Sequence, residues 1–458
     1  MTQNEALDIL KTGVNIFLTG EPGAGKTHTV NSFVSYLRAC DINPAITAST
    51  GIAATHIGGM TIHSWSGIGI KTKLDKYDLD KIASSEYISK RVRRTRILII
   101  DEISMLSTNT LDMVDMVCRE IKQNDEPFGG IQIILVGDFF QLPPIIKKED
   151  NIKNKQSSLI REVGPVGIFA YQSGAWERSK PVVCYLTEQH RQDDKDFLSV
   201  LSGVRANNVS REHLNYINSR QIELDDYPEN ITKLFSHNID VDRVNNAELV
   251  KLEEEVKIFR MSESGNSKIA ETLKKGCLSP ENLELKIGAV VMCTKNNQKE
   301  RFVNGTLGLI IGFEEFSGYP IIKTRNGKNI VIAPMDWVVE ENGKIRAQIT
   351  QVPLRLAWAI TVHKSQGMSM DAAVMDLSQV FEFGQGYVAL SRVRRLSGLY
   401  LLGINERALK VHPEILKKDI DFKNKSKEAT KVFGKLSKDE FKKMHNNFVT
   451  ACGGKVKK

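Results

Sequence analysis

Cysteine is scarce in this chain and scattered. The six residues (Cys40, Cys118, Cys184, Cys277, Cys293, Cys452) form no Cys-x-x-Cys pair and no Cys/His cluster, which argues against a disulfide framework or a structural zinc and for a reducing compartment. No apolar run approaches the roughly 18 residues that a membrane span needs. The segment from Met1 to Leu10 carries Glu5 and Asp8 where a signal peptide would be basic. The expectation is therefore a cytoplasmic protein, in a bacterial or phage-like context, with no signal peptide, no transmembrane segment and no membrane partner. There is no internal repeat and no linker rich in Pro, Gly or Ser. With 458 residues, 41% of them hydrophobic and 26% charged, the chain suits an ordinary folded protein of about two to four domains.

Charge is unevenly placed. Residues 421–458 hold 11 Lys against 4 acids, which leaves only +1 of the formal +8 to the rest of the chain. Within this basic tail, Ser437-Lys438-Asp439-Glu440 reads as a capping box, with Leu436 and Phe441 as a hydrophobic staple. It predicts a helix over about 438–449 whose stripe, Phe441, Met444 and Phe448, must be buried against the body, a partner protein or another chain. Deleting 421–458 is expected to leave turnover nearly unchanged.

The strongest chemical signal lies near the start. Val14 to Thr19 reads as a short buried strand that runs into Gly20-Glu21-Pro22-Gly23-Ala24-Gly25-Lys26-Thr27, a complete G-x-x-x-x-G-K-[ST] loop, followed by a helix marked by Val30, Phe33, Val34 and Leu37. Gly20, Gly23 and Gly25 let the backbone turn its N–H groups onto phosphates, Lys26 reaches the β/γ oxygens, and Thr27 can ligate Mg²⁺. ATP and Mg²⁺ are the implied cofactors. A second strand, Arg96 to Glu102, ends in two carboxylates, where Asp101 can hold the metal and Glu102 can activate water. That pairing implies hydrolysis. A third strand, Ile131 to Val136, leads to Gly137-Asp138-Phe139-Phe140-Gln141, and Gln141 is a candidate γ-phosphate sensor.

A phosphate loop alone would also suit a kinase or a GTPase. After the strand Ala45 to Ala48, however, comes a strip of hydroxyls, small residues and rings from Ser49-Thr50-Gly51 to Thr61-Ile62-His63-Ser64-Trp65. Hydroxyls and backbone N–H groups at Thr50, Gly51 and Thr61 can grip phosphates, and a ring can stack on any base for about 1–3 kcal/mol. His63 and Trp65 read equally well as a helix cap and as core packing.

The ordered set GEPGAGKT, ASTGIAATHIGGMTIHSW, LIIDEISML, VGDFFQLPP, LTEQHRQ, VHKSQGMS and YVALSR resembles a superfamily-one helicase, and most of all the Pif-type DNA helicases, related to the RecD-like and Dda-type enzymes. The likeness runs from the first residues to about Gly403. It implies an ATP-dependent DNA helicase moving 5′ to 3′ on single-stranded DNA and opening tailed duplexes, a monomer in solution, with Gln3 at the adenine. It implies that Arg191 and Arg392 reach the γ-phosphate, that Gly367 belongs to the nucleotide-binding set, and that His363 and Ser365 face DNA beside Lys364. An RNA helicase of the same superfamily and a DNA-dependent ATPase that remodels protein–DNA complexes without unwinding are the rivals; a phosphotransferase is disfavoured.

The expected fold class is α/β, with two RecA-like P-loop cores and a small SH3-like β-barrel inserted in the second. The first core is expected over 1–183, with an insertion at about 68–94 in the place of a strand-separating wedge. The second core is expected in two parts, 184–247 and 350–405, opening with the strand Pro181 to Leu186. The inserted domain over 248–349 has short β-rich runs separated by Asn-Gly and Gly turns, the pattern of an antiparallel barrel. Residues 406–458 form a basic extension.

Overall fold

The structure, a computed structural model of the full chain, describes residues 1–56, 59–69, 71–144, 168–188, 194–223, 231–295, 306–324, 327–341, 344–366 and 370–456, together with 297, 300 and 302. The chain divides into two compact units. One comprises Met1–Asp193, Val204–Asn208 and Lys410–Lys458; the other comprises Asp194–Gly203 and Val209–Leu409.

The first unit is built on a parallel sheet. Among the described residues its strands are β1 (Ile16–Gly20), β2 (Ala45–Ala48), β3 (Met60–Thr61), β4 (Ile97–Asp101), β5 (Gln132–Val136) and β6 (Val182–Leu186), in the order β3-β2-β4-β5-β1-β6. The near-continuous apolar character of β1, β4 and β5 follows from their being buried along almost their whole length, as parallel strands between helical layers must be. The expected domain boundary at 183/184 falls inside β6. That strand pairs with β1, Leu18 opposite Cys184, so the run Pro181 to Leu186 completes the first sheet instead of opening a second core. Its apolar pattern was right; which sheet it joined depended on long-range pairing.

The basic tail is part of this unit. The helix Pro413–Phe433 buries Ile415, Phe422 and Ala429, and Phe422 lies 5.0 Å from Phe17 of β1 and 6.0 Å from Phe139, ring centre to ring centre. Such aromatic pairs add about 0.5–1.5 kcal/mol each beyond their buried area. Ser426 accepts a hydrogen bond from the backbone N–H of Tyr185. The helix Lys438–Ala451 follows the predicted capping box, with Ser437 and Glu440 bonding reciprocally. Phe448 is 9% exposed and joins the same core as Ile9, Phe33 and Val34. Of the three ways of burying the stripe, the body is the one found for Phe448, while Phe441 and Met444 stay half-buried, and removal of 421–458 would take out core side chains. Where the sequence suggested a wedge, helices Lys76–Ala83 and Glu86–Arg94 are found; Arg91 donates to the carbonyls of Ser64 and Trp65, while Tyr77 is 73% exposed.

The second unit has its own parallel sheet, in the order Ala359–Thr361, Lys233–Phe235, Ala373–Leu377, Leu399–Ile404. Between Phe235 and Ala359 the chain passes through the helix Asn238–Lys251 and then forms antiparallel strands. Asn329–Val331, Pro320–Thr324, Leu307–Phe313, Val290–Cys293 and Leu354–Leu356 pair in that order around Val291, Ile310, Ile322 and Leu354. The expected return to the parallel sheet at 350 is therefore early, because Leu354–Leu356 still pairs antiparallel with Val290–Cys293. Among the described residues no helix is long and apolar enough to cross a membrane.

Candidate nucleotide and nucleic-acid site

Parallel strands place their carboxyl ends along one edge, where ligands of open α/β sheets bind. In the first unit that edge carries Gly20 of β1, Asp101 of β4 and the segment after β5. Because β5 lies between β1 and β4, the residues following it stand between the phosphate loop and the carboxylates.

The loop turns as its glycines demand. Gly25 has φ +87°, a conformation that side chains rarely tolerate, and a Cβ there would strike the Gln3 amide. Gln3 packs on the loop, its Nε2 3.4 Å from the Ala24 carbonyl. This sets Gln3 against the phosphate loop, and Gly20 and Gly23 also have positive φ. Lys26 opens the helix Lys26–Ala39 and donates to the carbonyls of Gly20 at 2.8 Å and Glu21 at 3.1 Å. Removal from solvent lowers its pKa, while the charges of Asp138, Glu102 and Asp101 oppose that shift. Thr27 lies exposed in the first helical turn.

Asp101 ends β4 and accepts from the N–H of Glu102 at 2.9 Å; burial raises its pKa and Lys26 opposes this. Glu102 has φ +51°. A left-handed, non-glycine residue is uncommon and costs strain, and this one sits where the sequence placed the base. Gln141 is 7% exposed, and its N–H donates to the Asp138 carbonyl at 3.0 Å. A Mg²⁺ ion fits the donor set, since the Asp101 carboxylate and Thr27 hydroxyl are hard oxygen ligands.

The strip after β2 is partly reassigned. Thr50 accepts from the N–H of Ala53, beside the exposed Gly51. Thr61 caps the short helix Ile62–Ser66, accepting from Ser64. His63 is half-buried, and burial lowers its pKa. Trp65, by contrast, is 2% exposed: its ring is core packing, and it offers no face for stacking on a base.

In the second unit, His363 and Lys364 follow the strand Ala359–Thr361. Burial lowers both pKa values, that of Lys364 to about 8. Ser365 is fully buried and donates its hydroxyl to the Val362 carbonyl at 2.8 Å, so it holds the turn instead of facing DNA. Arg392 is 2% exposed; it donates from Nε to Val388 O at 2.8 Å and from Nη1 to Ser365 O at 3.4 Å. Arg191 and Gly367 lie outside the described residues.

One residue escaped the sequence reading. Arg205 is 4% exposed and bonds to Asp138 at 2.7 Å. The signal was available: Phe197, Leu201 and Arg205 recur every four residues on the helix Lys195–Arg205, which puts the arginine on the apolar face.

A glycine loop between a buried strand and a helix, with a carboxylate pair on the same sheet edge, defines a P-loop nucleotide-binding protein. The family description PIF1-like helicase matches residues 3–211, and that of the DNA helicase Pif1 2B domain matches residues 268–313. The ATP-dependent DNA helicase Pif1 of Psychrobacter sp. is 40% identical over 100% of this chain and 76% of its own; the chain spans 63% of the length of the Xenopus laevis relative. The crystal structure of Pif1 helicase from Candida albicans superposes with a TM-score of 0.78 at 31% identity, covering 92% of this chain and 98% of that one. Pif1 helicase from Bacteroides in complex with ADP-AlF3 and ssDNA gives 0.70 at 29%, covering 93% and 96%. The chain belongs to the Pif1 helicase family.

Proposed function

We infer that the chain is an ATP-dependent DNA helicase that walks on single-stranded DNA, 5′ to 3′, and opens tailed duplexes. The two parallel sheets serve as RecA-like cores, and the antiparallel strands between Lys257 and Leu356 as an SH3-like insertion. The observation that carries the reading is the gathering of Lys26, Asp101, Glu102 and Asp138 at one sheet edge, close enough for the three carboxylates to act on the Lys26 ammonium.

Lys26 and the backbone of Gly20, Gly23 and Gly25 hold the phosphates, and Gln3, lying against Gly25, borders the adenine. Thr27 and Asp101 would hold Mg²⁺, which when bound would supply neutralising charge beside the phosphates. Glu102 takes the proton of the attacking water, and Gln141 stands at the γ-phosphate. Arg191 and Arg392 stabilise the transferred phosphoryl charge, with Gly367 in the same nucleotide-binding set. Thr50, Gly51, Thr61, His63 and His363 contact the strand, mostly through its phosphates. A base-pair step costs about 1.4 kcal/mol on average to melt, small enough for one hydrolysis cycle to drive one step.

Hydrolysis in the presence and absence of single strands tests this. Strong stimulation by single-stranded DNA and weak stimulation by RNA of the same sequence is the expected result. Equal stimulation by both, or by neither, would contradict it.

A further inference from the structure

Arg205 meets three carboxylates from three separate stretches of the first unit. Its Nη1 donates to Asp138 Oδ2 at 2.7 Å, its Nε lies 4.0 Å from Glu21 Oε1, and its Nη2 lies 3.8 Å from Asp419 Oδ1. Nη2 also donates to the Tyr185 hydroxyl at 2.9 Å, and the guanidinium sits 4.0 Å above the Phe140 ring. Glu21 is a residue of the phosphate loop. Asp138 and Phe140 belong to the segment ending at Gln141, and Asp419 comes from the helix Pro413–Phe433.

Asp138 organises that segment. Its Oδ1 accepts from the N–H of Phe140 at 3.2 Å and its carbonyl from the N–H of Gln141 at 3.0 Å. Asp138 is 1% exposed, and a buried carboxylate keeps its place only while its cation is present. The geometry also needs a fork, since Nη1 and Nη2 donate to different partners, Asp138 and the Tyr185 hydroxyl, which a lysine's single ammonium does not reproduce. Both charges act on Lys26, Asp138 raising its pKa and Arg205 lowering it, which sets the pair beside the loop.

We propose that Arg205 is a positioning residue of the nucleotide site: through Asp138 and Phe140 it fixes where Gln141 stands, through Glu21 it ties that segment to the phosphate loop, and through Asp419 the C-terminal helix sets the grip. The proposal rests on reading the loop as the ATP site and Gln141 as its γ-phosphate contact. Its consequence is selective. Misplacing Gln141 weakens a triphosphate far more than a diphosphate, whereas general loosening of the fold weakens both alike.

The test measures the affinities of the full chain for AMP-PNP and ADP with Mg²⁺, together with melting temperatures. The wild type is expected to bind both. Arg205→Lys is expected to weaken AMP-PNP about tenfold with ADP within about twofold, and Asp419→Asn to weaken AMP-PNP about threefold, again sparing ADP. Should Arg205→Lys not fold, Asp419→Asn carries the test. Equal loss for both nucleotides alongside a lower melting temperature would overturn the proposal, as would unchanged affinities. Selective loss in Arg205→Lys with none in Asp419→Asn would overturn the part given to the C-terminal helix. Failure of the wild type to bind either nucleotide is a different result, and removes the nucleotide-site reading itself.

Discussion

Lys26 folds back onto its own loop, its Nζ 2.8 Å from the carbonyl oxygen of Gly20. The ammonium therefore sits where the loop closes, held by neutral carbonyls whose place an anionic phosphate oxygen would take, pairing opposite charges. Lys26→Ala is expected to abolish both tight ATP binding and hydrolysis. Glu102→Gln is expected to bind ATP normally and stall turnover, because it keeps the side-chain shape and loses the base. Nucleotide titration beside steady-state hydrolysis checks the pair; near-normal DNA-stimulated turnover in Glu102→Gln would mean that another residue positions the water.

Arg392→Ala is expected to lower kcat by about 10³ while leaving nucleotide-free DNA binding largely intact, the effect of losing an arginine that stabilises phosphoryl charge. Its buried guanidinium now bonds to Val388 O and Ser365 O. Melting curves of the variant are needed beside the kinetics. A change confined to DNA affinity would move Arg392 to the DNA path.

Lys364 is expected to make DNA binding pH-dependent. Burial holds its pKa at about 8, so the ammonium is present at pH 7 and largely lost at pH 9. If it contacts a phosphate, raising the pH from 7 to 9 weakens single-strand binding and flattens the salt slope by about 0.7, the value of one phosphate contact. Lys364→Ala should abolish that pH dependence. The stability effect has the opposite sense: between about 8 and the unfolded value of 10.5 the unfolded chain binds the extra proton, so stability contributed here rises with pH. A pH dependence of binding that persists in Lys364→Ala would remove the residue from the DNA contact.

Phe448→Ser should destabilise the first unit by about 3 kcal/mol, in the range of large-to-small core changes. The ring is 9% exposed and lies where a Cβ on Gly13 would meet it. Thermal melting checks this. An unchanged melting temperature would mean that the C-terminal helix is not docked as described.

The phosphate loop and the acidic strand end were legible because their chemistry is local. A glycine with positive φ, a lysine and a carboxylate pair each announce themselves within a few residues. The capping box at Ser437 was legible for the same reason. What sequence alone misplaced depended on distance along the chain: β6 reads as a strand anywhere, and only pairing with β1 decides its sheet. Trp65 and Ser365 have the chemistry of a DNA contact, yet both are spent inside the protein, one as packing and the other on the Val362 carbonyl. Arg205 was overlooked because a lone arginine is usually solvated, and its partners Glu21, Asp138 and Asp419 are scattered over some four hundred residues.

The central claim is that ATP hydrolysis in the first unit drives directional unwinding of DNA. Strand displacement on two duplexes, identical except for a 5′ or a 3′ single-stranded tail, tests it most directly, with Glu102→Gln as the control. Displacement of the 5′-tailed duplex that requires ATP, with little on the 3′-tailed one and none by the variant, is the predicted result. DNA-stimulated hydrolysis without displacement of either duplex would contradict it and leave a DNA-dependent ATPase that does not unwind.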